Sequence, residues 1–343
     1  MFARLLSIPS SLAPGSWWFA SGFWSLALGL SACAATPADS SMASSTRSSA
    51  AGPYAVVLGT AQDGGLPQVG CERDLCLDAQ RDPARARLVT SLLVADPGTG
   101  RRWLFDATPD LPDQVELARE HPATRDLPGP RPPLFDGIFL THAHMGHYTG
   151  LLHLGREVYG SRDVPLYVSR RMRDFLAANE PWASLLREGA LVPHVLEPDR
   201  PLELAPGLSV TPVLVPHRDE FTDTFAFIVR GPERAVLYLP DIDKWEHWSR
   251  AVEDVIASVD FALLDGTFFA DGEIPGRNMD EIMHPFIVQS LQRFATLPAA
   301  ERAKVLFTHL NHSNPASDPT GEAAARIRAS GMGVAADGQL LDL

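Results

Sequence analysis

The chain has 343 residues, 45 % of them hydrophobic and 21 % charged, the composition of a globular protein able to bury a substantial core rather than of a disordered one. Its formal net charge of −13 argues against nucleic acid as a main partner, because phosphate binding needs a basic face, although a nucleotide held through metal ions stays open. The length allows one large or two ordinary domains, and no internal repeat is visible.

The N-terminus reads as a targeting segment. Residues 17–30 are mostly apolar, too short to span a bilayer comfortably, and run into L-S-A-C ending at Cys33. This is the pattern of a lipoprotein signal over residues 1–33, with Cys33 as the lipidated residue; a plain signal peptide cut elsewhere, or a mis-called start codon, are the alternatives. Residues 34–53, rich in Ser, Ala and Thr, read as a flexible tether. Together they predict a catalytic domain on the periplasmic face of the cell envelope, reaching the membrane only through the lipid anchor.

The folded part is expected over residues 54–343. A strand over 54–59 leads into the Gly-rich turn T-A-Q-D-G-G-L-P, read as a loop on the rim of a site. Cys71 and Cys76 follow in G-C-E-R-D-L-C; a local disulfide, a small zinc site completed by distant ligands, or two free thiols all fit. Residues 91–95 and 103–106 form a hairpin around P-G-T-G-R, and 110–120 a helix with Asp110 as its cap. A Pro-rich loop over 128–133 delivers the chain to a buried strand over 135–140.

That strand runs into T-H-A-H-M-G-H-Y-T-G-L, with a helix expected over 148–159. His142 and His144, two apart on extended backbone, point the same way, and His147 comes where the chain curls. Neutral imidazoles so arranged suit zinc or iron. A strand over 165–169, a helix over 171–179, and strands over 208–215, 224–229 and 235–239 come next. A helix over 245–255, a strand over 261–264, a helix over 285–294, a strand over 304–308, a helix over 321–330 and a short strand complete the chain. Trp182, Trp245 and Trp248 are either pocket lining or core. His142, His217, Asp241, Asp265 and His309 each fall at or just beyond the end of a predicted strand, which suggests one shared pocket.

H-x-H-x-x-H on a strand-to-helix turn, followed by His, Asp and His at later strand ends, resembles the metallo-β-lactamase superfamily. Within it, V-P-H-R-D-E, L-P-D-I-D-K-W, L-L-D-G-T-F-F and H-P-F-I-V-Q-S resemble the branch of PQQ-biosynthesis protein B. The resemblance implies an α+β fold, the four-layered αββα sandwich, with a metal site at one edge between the sheets. Carried over by position, His142, His144 and His217 would hold a first ion, Asp241 would bridge, and His147 and His309 would complete a second. The superfamily motif is H-x-H-x-D-H, and the acidic position is Gly146 here; Asp243, Asp265, Asp219 or His284 are candidate replacements.

Such a pocket suits hydrolysis. A divalent ion lowers the pKa of bound water to near 7 and polarises the oxygen under attack. Asp241, Asp265 and His284 are the candidate catalytic residues, the latter two as acids for the leaving group. The expectation is a metallo-hydrolase acting on a small ester, lactone, amide or phosphodiester, with one or two Zn2+, or iron or manganese in their place. An Fe(II)/O2 oxygenase step related to pyrroloquinoline quinone synthesis, or a non-catalytic metal carrier, are the alternatives.

Overall fold

The computed structural model describes residues 52–121 and 133–343. The signal segment, Cys33, the tether up to residue 51 and the Pro-rich loop up to residue 132 lie outside the described residues. No helix among the described residues is long and apolar enough to cross a membrane.

Fourteen strands are described: β1 (Tyr54–Gly59), β2 (Ser91–Asp96), β3 (Arg101–Phe105), β4 (Gly137–Phe139), β5 (Val164–Val168), β6 (Leu191–Val195), β7 (Leu202–Ala205), β8 (Leu208–Val215), β9 (Thr224–Arg230), β10 (Ala235–Leu239), β11 (Phe261–Asp265), β12 (Val305–Thr308), β13 (Gly333–Val334) and β14 (Leu340–Asp342). They form two seven-stranded sheets, in the orders β14-β1-β2-β3-β4-β5-β6 and β13-β12-β11-β10-β9-β8-β7. Each central strand is an almost unbroken apolar run because both of its faces are covered. In β1, Ala55 and Val57 face the other sheet, while Tyr54, Val56 and Leu58 face helices. The inter-sheet core is dominated by aromatics: Phe105 stacks on Phe139 at 4.7 Å, Phe139 stacks on Tyr167 at 4.5 Å, and Phe227 meets both phenyl rings edge-on.

Helices cover both outer faces. Leu111 and Ala118 of Leu111–Ala118, with Met172 and Leu176 of Arg170–Ala178, pack on the first sheet. Val252 and Ile256 of Val252–Ala257, Leu291 and Phe294 of Ile287–Phe294, and Ile327 of Glu322–Ala329 pack on the second. The result is the expected αββα sandwich.

The pairing directions position the site. β1 and β3 both run antiparallel to β2, and β4 runs parallel to β3, so the C-terminal ends of β1, β3 and β4 lie at one edge. In the second sheet β8 and β10 both run antiparallel to β9, and β11 and β12 run parallel to β10. Their C-terminal ends also share one edge. The residues just past these seven ends build the site.

Several local expectations change. The helix expected over 148–159 is one α turn, Met145–Tyr148, followed by a 3-10 stretch, Thr149–Leu154. Tertiary hydrogen bonds explain this: Ala107 N donates to His147 O at 2.9 Å, and Gly150 N donates to Ala107 O at 2.9 Å, instead of propagating a regular helix. Asp110 precedes its helix without capping it, since its carboxylate accepts from Val89 N at 2.9 Å. The helix expected over 245–255 is a 3-10 turn, Trp245–His247, and then Val252–Ala257. Trp245 and Trp248 are core residues there, their indole N–H groups donating to Ser290 Oγ and Leu214 O. Trp182 packs against Tyr148. Unforeseen elements are the helices Asp74–Arg81 and Trp182–Arg187 and the edge strands β6 and β7. Pro193 is tolerated in β6 because an edge strand need not donate on its open side. Cys71 and Cys76 are joined in a disulfide.

Candidate metal centre

β4 ends at Phe139, and two residues later Thr141 leads into His142. His142 Nε2 lies 2.8 Å from His144 Nδ1, and His217, just past β8, brings its Nε2 to 3.3 Å from the same atom. These three rings form the first cluster. Asp241, two residues past β10, forms the second focus: its Oδ2 is 3.0 Å from His147 Nε2 and 3.3 Å from His309 Nε2, and its Oδ1 is 3.6 Å from His217 Nε2. His284 Nδ1 stands 3.9 Å from Asp241 Oδ1. All six expected ligands thus meet at one edge, from segments up to 167 positions apart (142 to 309), with side chains almost wholly buried.

Three buried polar atoms that face one another in this cluster have no hydrogen-bond partner, His147 Nε2, Asp241 Oδ2 and His309 Nε2; His217 Nδ1, on the other side of the ring from the nitrogen that meets His144, has none either. His147 Nε2 and Asp241 Oδ2 are close enough to be an ion pair but do not meet in hydrogen-bond geometry. Leaving buried polar groups unmatched costs on the order of 1–3 kcal/mol each. A dry, convergent set of imidazole and carboxylate donors is what a divalent cation satisfies, so the residues fit a metal ion.

A second layer holds these groups. His147 Nδ1 pairs with Asp106 Oδ2 at 2.8 Å, and Asp106 also accepts from Thr141 N and from the hydroxyls of Thr141 and Tyr238. His142 Nδ1 meets Thr141 Oγ1 at 3.0 Å, and His309 Nδ1 meets Thr267 Oγ1 at 3.0 Å. A ring nitrogen occupied in this way fixes which nitrogen remains for a ligand. Asp106 and His309 have φ of 64° and 60°, the left-handed region that a non-glycine residue seldom adopts. Both sit where a strand ends and the chain must turn a side chain into the cluster, a strain typical of functional positions.

Burial, reinforced by the neighbouring imidazoles, pushes His142 and His309 well below the ordinary imidazole range. His217 is lowered for the same reasons, and His144 is lowered chiefly by burial. These four rings are neutral near pH 7 and ready to ligate. His147 behaves oppositely. Burial would lower it, but Asp106 and Asp241 override burial and hold it well above the usual range. His284 is raised against burial by Asp265, whose Oδ2 lies 2.8 Å from its Nδ1. Burial raises Asp241.

Asp265 was expected to act as an acid. It is wholly buried, and its oxygens already accept from Ile242 N, Thr267 N and Thr267 Oγ1 besides meeting His284. It holds His284 from behind. Of the expected substitutes for an acid at 146, Asp243 pairs with His247 and Asp219 is exposed beside Arg171. Asp106 and Asp63 are the residues that sequence reasoning missed. Asp106 carried a readable signal, an Asp at a strand end like Asp241 and Asp265. Asp63 carried none beyond its place in a Gly-rich loop.

The open side of the cluster is at His144. Glu220 Oε1 lies 3.2 Å from its Nε2, Arg218 Nη2 lies 3.2 Å from its Nδ1, and exposed Phe221 and Met145 flank it.

A family model described as a beta-lactamase superfamily domain matches residues 101–310. Curated proteins named coenzyme PQQ synthesis protein B are similar in sequence. The one from Methylobacterium radiotolerans is 29 % identical over 310 residues, covering 84 % of this chain and 99 % of that protein. The one from Methylococcus capsulatus is 29 % identical over 307 residues, covering 82 % and 97 %. Among solved structures, zinc-bound PqqB from Methylobacterium extorquens superposes with a TM-score of 0.72 at 23 % identity, covering 84 % of this chain and 100 % of that one. A diphosphatase from the PhnP family gives a TM-score of 0.59 at 23 % identity, over 84 % and 96 %. At that identity these two structures bear on the fold alone.

Proposed function

Because the chain belongs to the beta-lactamase superfamily, we propose that it is a metal-dependent hydrolase holding one or two divalent ions, zinc first among them, at the edge between its sheets. The observation that carries this reading is the set of three buried, unpartnered atoms that face one another, His147 Nε2, Asp241 Oδ2 and His309 Nε2. His142, His144 and His217 would hold the first ion, and His147, His309 and Asp241 the second. Bound there, a divalent ion supplies Lewis acidity and makes water a stronger acid.

The protein's own groups do the rest. Asp106 keeps the Nδ1 proton of His147, which leaves Nε2 for a ligand bond. Thr141 and Thr267 orient His142 and His309 in the same manner. His284, made more basic by Asp265, carries a proton beside Asp241 and gives it to the departing oxygen or nitrogen. Arg218 on the rim attracts an anionic group of the substrate, and Phe221 and Met145 offer apolar contact beside it. The substrate is a small molecule with a labile ester, lactone, amide or phosphodiester bond. The protein is loaded with zinc or manganese and screened against those classes; silence across all of them with the ions in place overturns the hydrolase reading.

A second reading has one specific support: the relatives are named for coenzyme PQQ synthesis. A His-rich site with one carboxylate also suits Fe(II) and O2. Anoxic purification separates the two: iron with O2 uptake favours an oxygenase step in that synthesis, zinc without O2 uptake favours hydrolysis. We further propose that Cys33 is lipidated and anchors the enzyme at the periplasmic face of the envelope. Loss of radiolabelled fatty acid in Cys33→Ser supports this anchor, and absence of label from the parent protein refutes it.

A further inference from the structure

We infer that Asp63, delivered by the loop after β1, is the carboxylate ligand of the second ion, and that Gly146 is a glycine because Asp63 occupies the space a side chain there would fill. The inference rests on the metal-dependent reading above and adds a ligand to it.

The geometry is specific. A Cβ placed on Gly146 would stand 2.2 Å from Asp63 Oδ1 and 2.7 Å from Asp63 Cα, closer than any real Cβ contact. Gly146 N donates to Asp63 Oδ1 at 3.1 Å, so the two residues are fastened together across 83 positions of sequence. Asp63 Oδ1 is 3.9 Å from His147 Nε2, and Asp63, His147 and His309 offer ligand atoms that all lie within 4.8 Å of one another. Ligand atoms around a tetrahedral zinc ion lie about 3.4 Å apart, given bonds of about 2.1 Å, so the Asp63–His147 pair needs to close by only roughly half an ångström. Two of the three donors, His147 Nε2 and His309 Nε2, are buried without a hydrogen-bond partner.

The loop is held firmly enough to aim a ligand. Ala61 bridges to both Val89 and Leu310, Gln62 N donates to Leu310 O at 2.9 Å, and Asn311 donates to the Gln62 side chain. Leu310 directly follows His309, so the segment that bears one donor of the set is bonded to the segment that bears another. The acid that the H-x-H-x-D-H pattern would put on the helix turn therefore comes from a different strand end, and position 146 has to be empty for it to arrive.

Metal stoichiometry and competition titrations on the full chain test this, using Asp63→Asn, which keeps shape and hydrogen bonding while removing the charge. The parent is expected to take two ions; Asp63→Asn is expected to keep the first unchanged and to bind the second at least roughly tenfold more weakly. Gly146→Ala, which displaces Asp63, is expected to produce the same loss, and the double variant no further loss. Asp63→Cys provides a readout independent of affinity: in the cobalt-loaded protein a direct ligand gives a thiolate-to-cobalt charge-transfer band in the near ultraviolet. A parent that takes two ions while Asp63→Asn binds both with unchanged affinity overturns this inference and leaves the hydrolase reading standing, as does a cobalt-loaded Asp63→Cys without the band. A parent that takes only one ion also overturns it, and a parent that takes none overturns both.

Discussion

Replacing Asp106 with Asn isolates the influence of the second layer on the metal centre. Asn tolerates the left-handed backbone at φ 64°, so the substitution adds little strain. One carboxylate oxygen of Asp106 accepts from Thr141 N at 2.8 Å, and the other faces His147 Nδ1 at 2.8 Å and the Tyr238 hydroxyl at 3.1 Å. The backbone N–H of Thr141 can only donate, so the amide oxygen of Asn must take that side and its NH2 must face His147. His147 then has to accept at Nδ1, which moves its proton to Nε2, the atom meant for the ion. Losing a partner of this kind lowers metal affinity roughly 10–100-fold, or about 1.4–2.7 kcal/mol. Loss of a buried charge-assisted hydrogen bond also destabilises the metal-free fold by about 1.5–3 kcal/mol. Zinc competition with a chromophoric chelator and urea unfolding of the chelated protein read the two effects separately. Zinc affinity within roughly threefold of the parent in a folded Asp106→Asn protein would refute the reasoning, because His147 would then ligate without its partner.

Three further outcomes follow from the same geometry. Gly150→Ala puts a Cβ 2.0 Å from Thr108 O, against backbone that cannot give cheaply, so it is expected to destabilise by about 1–3 kcal/mol and to weaken metal binding by shifting the His147 turn; unchanged thermal unfolding contradicts this. The metal-free protein is expected to lose stability as pH falls through about 6.5, because His142, His144, His217, His309 and His312 are lowered in the fold and take up protons on unfolding, whereas among the described imidazoles only His147 and His284 are raised, and they act in the opposite sense together with the buried, raised Asp241. Each net imidazole contributes up to about 1.4 kcal/mol per pH unit there, read as urea midpoints at pH 7 and pH 5; equal midpoints contradict it. His284→Gln is expected to keep its metal content while turnover of a screened substrate falls roughly 10²–10⁴-fold, and a fall of less than about threefold removes His284 from proton transfer.

The expected ligands were legible because they obey a local rule: each follows an apolar stretch that could only be a buried strand. His142 follows Phe139 by three residues, Asp241 follows Leu239 by two, and His309 follows Thr308 directly. Period and composition mark such ends without any knowledge of the neighbours. In the second layer Asp106 obeys the same rule, directly after β3, but which histidine a second-layer group serves is not local. Thr267 serves His309, 42 positions away, and Asp106 serves His147, 41 positions away; only the pairing of β3 with β4 and of β11 with β12 brings them together. Asp63 was hidden for the same reason, since its loop acquires a position only by bonding to Val89 and Leu310. The turn after His147 misled because its hydrogen bonds go to Ala107, a partner that helix propensity does not see. Edge strands β6 and β7 were missed because half-exposed, short runs with Pro193 and Glu203 carry little apolar signal.

The measurement closest to the centre of this account is the metal content of natively purified protein, counted per chain beside His217→Ala and His309→Ala variants. The parent is expected to hold at least one tightly bound divalent ion and each variant to lose ions relative to it. A folded parent that stays metal-free after incubation with excess zinc, manganese and anoxic Fe(II) would contradict the account.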